Sequence, residues 1–240
     1  MIKVSGLVKY FGKIKAVDGI SFTAPDGAIT GLLGHNGAGK STSLRILYGL
    51  LKADAGTAEV DGVDVALDPL EVQRRIGVMT DAHGLYPRLS AREHIEYFAA
   101  LRGMSPALTR KRTDELLAQL GMHDIADRRA EGFSQGEKMK VCLARSLVHD
   151  PRNVIMDEPT NGLDVMTTRS VRQLLQNLKM QNKCILLSSH IMQEISALCE
   201  EVVVVADGKL VFQGPVEAML VHTGAANLED AFVQMTGEAK

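Results

Sequence analysis

The sequence has almost no charge imbalance: 27 Lys and Arg stand against 29 Asp and Glu, a formal net charge of −2. That near-cancellation removes the electrostatic case for nucleic acid as a partner and leaves only a local patch to argue otherwise. Cysteine is scarce: Cys142, Cys184 and Cys199 show no C-x-x-C pairing, and two of them sit inside apolar segments. Small buried residues in a reducing compartment is the favoured reading over disulfides or a thiolate metal site. The start, MIKVSGLVKYFGK, reads as a strand and lacks the apolar core of a signal peptide. Long hydrophobic runs are missing too; stretches such as Val202–Ala206 fall far short of the ~20 residues a spanning helix needs. A cytoplasmic chain is expected, peripheral to a membrane only through a partner. Internal repeats, low-complexity tracts, heptad runs and long linkers are also absent.

What is present is ordinary globular material. The 240 residues are 45% hydrophobic and 23% charged, enough for one large domain or a domain with a lobe inserted. Residues 2–33 carry short β-rich segments, IKVSGLV, AVDGISF and AITGLLG, separated by turn signals such as Pro25-Asp26-Gly27. KSTSLRILYGLL then places Leu44, Leu47, Tyr48 and Leu51 on one helical face. Residues 57–79 read as further strands around a short helix. From Ser90 the character changes: SAREHIEYFAALRG opens with a capping box, Ser90 to Glu93, and PALTRKRTDELLAQLG runs from Pro106 to a stop at Gly121. The remainder alternates helix 134–149, strand 153–157, helix 164–180, strand 183–188, helix 191–199 and strand 201–206. Such alternation argues for a largely parallel sheet in an α/β fold. The expected layout is an α/β core from 1–85 and 132–221, with a β part at its start. A helical lobe fills 86–131, and a helical tail follows at 222–240, containing NLEDAFVQMTG.

Three groups of residues carry chemistry. GHNGAGKST fits G-x-x-x-x-G-K-[ST], follows an apolar strand and opens a helix. In that pattern the backbone of Gly34, His35, Asn36, Gly37, Ala38 and Gly39 turns its N–H groups on phosphate oxygens. Lys40 neutralises the β- and γ-phosphates, and Ser41 and Thr42 open the helix, the Ser41 hydroxyl being suited to Mg²⁺. NVIMDEPT sets two carboxylates where an apolar strand ends. Asp157 is suited to hold Mg²⁺ through water, and Glu158 to orient or deprotonate an attacking water; a solvated acidic turn is the plainer reading. His190 follows CILLSS at another strand end. A surface or capping histidine is the ordinary reading there, but ligands of open α/β sheets sit beyond the carboxyl ends of the strands. All three groups share that edge if their strands are parallel. Ser134 and Glu137, in GFSQGEKMK, form a second capping box. A serine, a glycine and a helix N-terminus are equally what a protein offers to phosphate.

Taken together, these residues resemble the nucleotide-binding subunit of an ABC transporter, over nearly the whole chain. GHNGAGKST looks like its Walker A motif and VIMDEP like Walker B with the catalytic glutamate. NGLD looks like the D-loop, SSH like the switch histidine and FSQGE like the LSGGQ signature. The resemblance implies an ABC-type P-loop ATPase that binds ATP and Mg²⁺, with Glu158, His190 and Lys40 catalytic. It implies Ser41 and Asp157 at the metal, and Ser134, Gly136 and Asp164 reaching a triphosphate on a second ATPase subunit, a homodimer in the simplest case. A transmembrane permease subunit would be the other partner. KYFGKIKAVDGISF looks like the adenine-stacking region, with Phe11 in the aromatic position and Tyr10 as alternative.

The departures are informative. Phe133, Gln135 and Glu137 differ from the commonest signature, and the capping box offers a way for Glu137 to fold back onto its own backbone. The Q-loop glutamine falls on Asp81, which either accepts a Mg²⁺-bound water or is a solvated loop acid. The run GLYPRLSAREHIEYFAALRG and the signature FSQGEKMKV are most similar to NatA-type ATPases of bacterial sodium-extrusion exporters. A non-transport ABC ATPase loses ground for want of a second ATPase domain, a coiled coil or a basic surplus. A nucleotide-regulated adaptor with weak hydrolysis is kept alive by Asp81 and opposed by Glu158 and His190.

Overall fold

The computed structural model describes residues 1–80 and 84–237. Strands β1 (Ile2–Phe11) and β2 (Ile14–Ala24) form an antiparallel hairpin that closes with Phe11 opposite Ile14. Ile2 and Val4 are buried in the period-2 pattern of a sheet wetted on one face, and Leu7 joins them across a register shift between Val4 and Leu7. Pairing continues through KYFGKIK after burial has stopped, so the hairpin is longer than its apolar letters indicate and residues 10–15 form an exposed tip. Strand β4 (Ala55–Val60) pairs on the other side of β1 and carries the short β5 (Val63–Asp64) at its edge.

The second sheet contains β3 (Ile29–Leu33), β6 (Ile76–Met79), β7 (Asn153–Asp157), β8 (Cys184–Ser189) and β9 (Glu201–Ala206). These five are parallel, and β10 (Lys209–Pro215) adds to β9 antiparallel, giving the order β10-β9-β3-β8-β7-β6. Along each central strand successive side chains feed opposite cores. Ile185, Leu187, Val202, Val204, Val154 and Met156 face one cluster; Leu186, Val203, Val205 and Ile155 face the other. A sheet buried on both faces reads as a continuous apolar run, which is why β7, β8 and β9 are legible as strands. Edge strand β10 alternates exposed and half-buried residues and ends in Gly214-Pro215, so its letters do not announce a strand.

Helix α1 (Lys40–Leu47) and the hairpin sheet cover one face, and α2 (Pro69–Arg75) leads into β6. The other face carries α5 (Gln135–Leu147), α6 (Val165–Met180) and α7 (Met192–Leu198). Helices α3 (Ala91–Leu101) and α4 (Pro106–Gln119) pack together and against α5. Among the described residues no strand occurs between Met79 and Asn153. Both capping boxes form: Ser90 with Glu93 on α3, and Ser134 with Glu137 on α5. The chain ends in two helices, α8 (Val216–Thr223) and α9 (Leu228–Thr236), the second bearing the NLEDAFVQMTG pattern. All three cysteines are free and buried, as composition implied. Among the described residues no helix is long and apolar enough to cross a membrane.

Candidate functional site

The condition set by the sequence, that three strands run in parallel, is met. Leu33 of β3 pairs with Ser189 of β8, and Asp157 of β7 pairs with Ser188. The residues that follow, Gly34, Glu158 and His190, therefore emerge side by side at one edge of the sheet. Glu158, His190 and the loop that follows Gly34 border a cleft of about 430 Å³ lined by His35, Asn36, Gly37, Lys40, Ser41, Thr42, Asp157, Glu158, Asn161 and His190.

Helix α1 starts here because Gly39 takes φ of 103° and lets the loop turn into the first helical residue, Lys40. A β-carbon at Gly39 would sit 2.5 Å from the carbonyl oxygen of Ala16, so the position also demands the missing side chain. Gly39, the N-cap residue, has no side chain with which to cap the first turn of α1, which leaves the helix N-terminus as an anion-binding end. Ala38 is fully buried, and its carbonyl accepts from the Gly208 N–H at 3.1 Å, tying the loop to the β9–β10 turn. It shapes the loop without lining the cleft.

Lys40 is 6% exposed, and its ammonium donates to the Gly34 carbonyl at 2.6 Å and the His35 carbonyl at 3.2 Å. Burial pushes its pKa down, while the nearby Glu158 and Asp157 carboxylates pull it back up. Its Nζ stands 3.9 Å from Glu158 Oε1, so one cation faces one carboxylate across the cleft. The Ser41 hydroxyl lies 3.3 Å from Asp157 Oδ1. A hydroxyl and a carboxylate that close are hard oxygen donors of the kind Mg²⁺ takes when phosphates and water supply the rest. Among the described residues no group of three or more His, Cys, Asp or Glu could hold a metal ion.

Glu158 is the most constrained residue of the site. Its φ is 51°, a left-handed conformation that costs a non-glycine residue about 1–3 kcal/mol. Its N–H donates to both the hydroxyl (3.1 Å) and the carbonyl (3.2 Å) of Ser188. Its carboxylate reaches His190, with Nδ1 2.9 Å from Oε2. Ser188 also donates its hydroxyl to Asp157, so one buried serine steadies both acidic residues. The sequence shows Ser188 as part of the SSH motif but gives it no role. The signal is present in two serines closing an otherwise apolar buried strand, where each hydroxyl needs a partner.

Ser134, Gly136 and Asp164 are not among the residues lining this cleft. Ser134 is exposed at the start of α5, where its hydroxyl accepts from the Glu137 N–H at 3.2 Å. The Glu137 carboxylate accepts from the Ser134 N–H at 2.7 Å and pairs with Arg128 at 3.1 Å. Partial burial works against the charge, yet the Ser134 hydrogen bonds and Arg128 hold its pKa below the usual range. The Glu137 carboxylate is thus folded away onto its own helix. Gly136 packs on α6: a β-carbon there would lie 3.1 Å from Thr167 Oγ1. Asp164 caps α6, accepting from the N–H groups of Met166 and Thr167 at 2.9 Å and from the Thr167 hydroxyl at 2.7 Å. The Thr167 hydroxyl first, then those N–H groups, lower its pKa. Phe11 and Tyr10 stand 46% exposed at the hairpin tip, with Lys9 over the Phe11 ring and Lys15 over the Tyr10 ring. Asp81 lies outside the described residues.

Residues 17–161 match the family described as "ABC transporter". The chain is 40% identical over 221 residues to the ABC transporter ATP-binding protein NatA of Bacillus subtilis, covering 92% of this chain and 90% of that one. It is 36% identical over 222 residues to the Nod factor export ATP-binding protein I of Ralstonia nicotianae, covering 92% and 69% respectively. Among solved structures it resembles the dimeric post-hydrolysis state of the ATP-binding cassette MJ0796 bound to ADP and Pi. There the TM-score is 0.82 at 25% identity, over 90% of this chain and 98% of that one.

Proposed function

This chain belongs to the ABC transporter family, as an ATP-binding subunit that hydrolyses ATP, and from that premise we propose that it works as an exporter motor closed by ATP at composite sites. The observation that carries the reading is the single cleft that gathers Lys40, Ser41, Asp157, Glu158 and His190, with Glu158 and His190 already paired at 2.9 Å.

In this reading the backbone of Gly34–Gly39 and the N-terminus of α1 bind the triphosphate, and Lys40 neutralises its β- and γ-oxygens. Phe11, or Tyr10, stacks on the adenine from the hairpin tip. Glu158 orients the attacking water and takes its proton, and His190 fixes the carboxylate that does so. Ser41 and Asp157 are the residues that would hold Mg²⁺, which when bound spreads the charge of the transferring phosphoryl group. Asp81 would accept a water at that ion, or else be an ordinary loop acid. Asp81→Asn is expected to alter Mg²⁺ dependence or coupling more than ATP affinity; unchanged ATPase and transport would remove it from the site.

Ser134 and Gly136 begin a helix outside the cleft of their own chain, and their use is therefore assigned to a second subunit in a head-to-tail dimer, with Asp164 beside them. The dimeric, ADP- and Pi-bound relative supports that arrangement without fixing it for this chain. The helical lobe of 86–131 would meet a transmembrane permease and hold the subunit at the cytoplasmic membrane face. Export is favoured by the relative named for Nod factor export, and sodium as cargo is the finer reading that the sequence resemblance to sodium-extrusion ATPases suggests.

The test is steady-state ATPase of the purified chain beside Glu158→Gln, with size-exclusion chromatography in ATP. The reading expects turnover in the wild type, little in the variant, and an ATP-dependent dimer of the variant. Wild-type hydrolysis no faster than the variant would instead favour the adaptor.

A further inference from the structure

The segment that carries Glu158 is fastened to β8 and α7 at two places. Before it, the Glu158 N–H is held by the hydroxyl and carbonyl of Ser188. After it, the Thr160 hydroxyl donates to the Glu194 carboxylate, between residues only 4% and 9% exposed. Glu194 lies in the first turn of α7, the helix that follows His190. The backbone between the two fastenings contains Glu158 in its left-handed conformation and then Pro159.

Such a conformation persists only where the surroundings over-determine it. Ser188 alone fixes one end of the strained peptide. The Asn161 N–H closes a turn onto the Glu158 carbonyl at 3.3 Å, so the residues beyond Pro159 move with Glu158. Without an anchor on α7 that turn would be free to rotate as a unit and swing the carboxylate away from His190 and Lys40. A buried carboxylate is an expensive anchor for a loop that needs none, and the fold places it on α7, the helix that follows His190. We propose that the Thr160–Glu194 hydrogen bond is a positioning clamp that holds Glu158 in register with His190, making both residues determinants of turnover although neither lines the cleft. The clamp rests on the assignment of Glu158 as the residue that acts on the attacking water.

The experiment compares Thr160→Val, Thr160→Ser, Glu194→Ala and Glu194→Gln with wild type, Glu158→Gln and a remote core variant, Leu117→Ala, in the full-length chain. kcat and KM for ATP with Mg²⁺, the kcat–pH profile and thermal stability are read for each. Thr160→Val removes the donor at constant shape and is expected to lower kcat about ten-fold with KM within about two-fold. Thr160→Ser, which keeps the hydroxyl, and Glu194→Gln, which keeps an acceptor, should restore most of the rate. The double variant Thr160→Val/Glu194→Ala should lose no more than either single one, and the acidic limb of the pH profile should move alike in Thr160→Val and Glu194→Ala and not in Leu117→Ala. If Thr160→Val turns over within two-fold of wild type while Glu158→Gln is inactive, the clamp is wrong and the assignment of Glu158 survives. If the rate losses merely follow thermal stability as in Leu117→Ala, the contact is structural only and the proposal falls. A Glu158→Gln variant as fast as wild type would remove the assignment and the clamp together.

Discussion

His190 holds Glu158: Nδ1 of the imidazole lies 2.9 Å from Oε2 of the carboxylate, and the two residues directly follow the ends of adjacent parallel strands. The same carboxylate faces Lys40 through its other oxygen at 3.9 Å. A group held from both sides loses little freedom when a water comes to meet it, which is the benefit of preorganisation.

Replacing His190 with Ala releases one side of that grip. We expect kcat to fall by about 10²-fold, within the span general acid–base groups contribute, with KM for ATP changed far less. Steady-state phosphate release at saturating ATP measures it. A drop in ATP affinity with kcat intact would place His190 at the phosphates instead.

Ser188 is not among the residues lining the cleft, but its hydroxyl bonds Asp157 and receives the Glu158 N–H. Ser188→Ala frees the Asp157 carboxylate to rotate. Outer contacts of this kind typically tune metal binding by 10- to 100-fold. The expected outcome is a Mg²⁺ requirement raised about ten-fold, read by titrating MgCl₂ against ATPase rate at fixed ATP.

Gly136 has a reason to be glycine inside its own chain. An added β-carbon would meet Thr167 Oγ1 at 3.1 Å and Cγ2 at 3.4 Å. Overpacking should therefore offset the gain in helix propensity that alanine brings. Thr167→Ala clears the space, so Gly136→Ala should be better tolerated in that background by about 1 kcal/mol, measured by urea unfolding of the four-member cycle. ATPase rates of the same four proteins separate the two uses of the residue. Turnover restored in the double variant makes Gly136 a packing residue; turnover still lost makes it a residue of the subunit contact.

His149 makes the fold sensitive to acid. Its ring is largely buried against the β6 backbone, with Nε2 3.0 Å from the Ile76 carbonyl and Nδ1 buried without a partner. Burial first, then the nearby Arg102 charge, push its pKa down to about 4. The folded value lies below the unfolded one, so between them the unfolded chain binds more protons. The stabilisation is complete above about pH 6.5 and drains away as pH falls toward 4. With a discount for the part of the ring near solvent, about 2 kcal/mol is at stake. Urea midpoints at pH 7.5 and 5.0 should separate widely in wild type and less in His149→Gln.

Much of this is readable from letters because the residues involved are forced by backbone geometry. The strands bearing Asp157 and Ser189 are buried on both faces and so are written as unbroken apolar runs. Ser90 and Ser134 announce their helices through a glutamate three residues on, and both boxes are made. What stays hidden depends on pairing between distant segments. The role of Ser188 needs the β7–β8 register, and the Thr160–Glu194 contact joins residues 34 positions apart. Strand β10 carries too little buried surface to write a pattern. The tightness at Gly136 comes from α6, a separate helix beyond β7 in the chain and invisible to any local rule.

The β7–β8 register also decides what kind of change this protein can absorb. Asp157 opposite Ser188, and Leu33 opposite Ser189, work as a caliper closed across three neighbouring strands. Substitutions within those strands alter volume and can be repacked. An insertion of one residue would turn every later side chain to the opposite face, trading the two interiors and carrying Ser188 away from both acids. Two inserted residues would restore the faces yet displace the strand end by ~6.6 Å, beyond the reach of His190. Lineages of this chain should therefore diverge in the apolar letters of β7 and β8 while holding Asp157, Ser188 and the strand lengths constant.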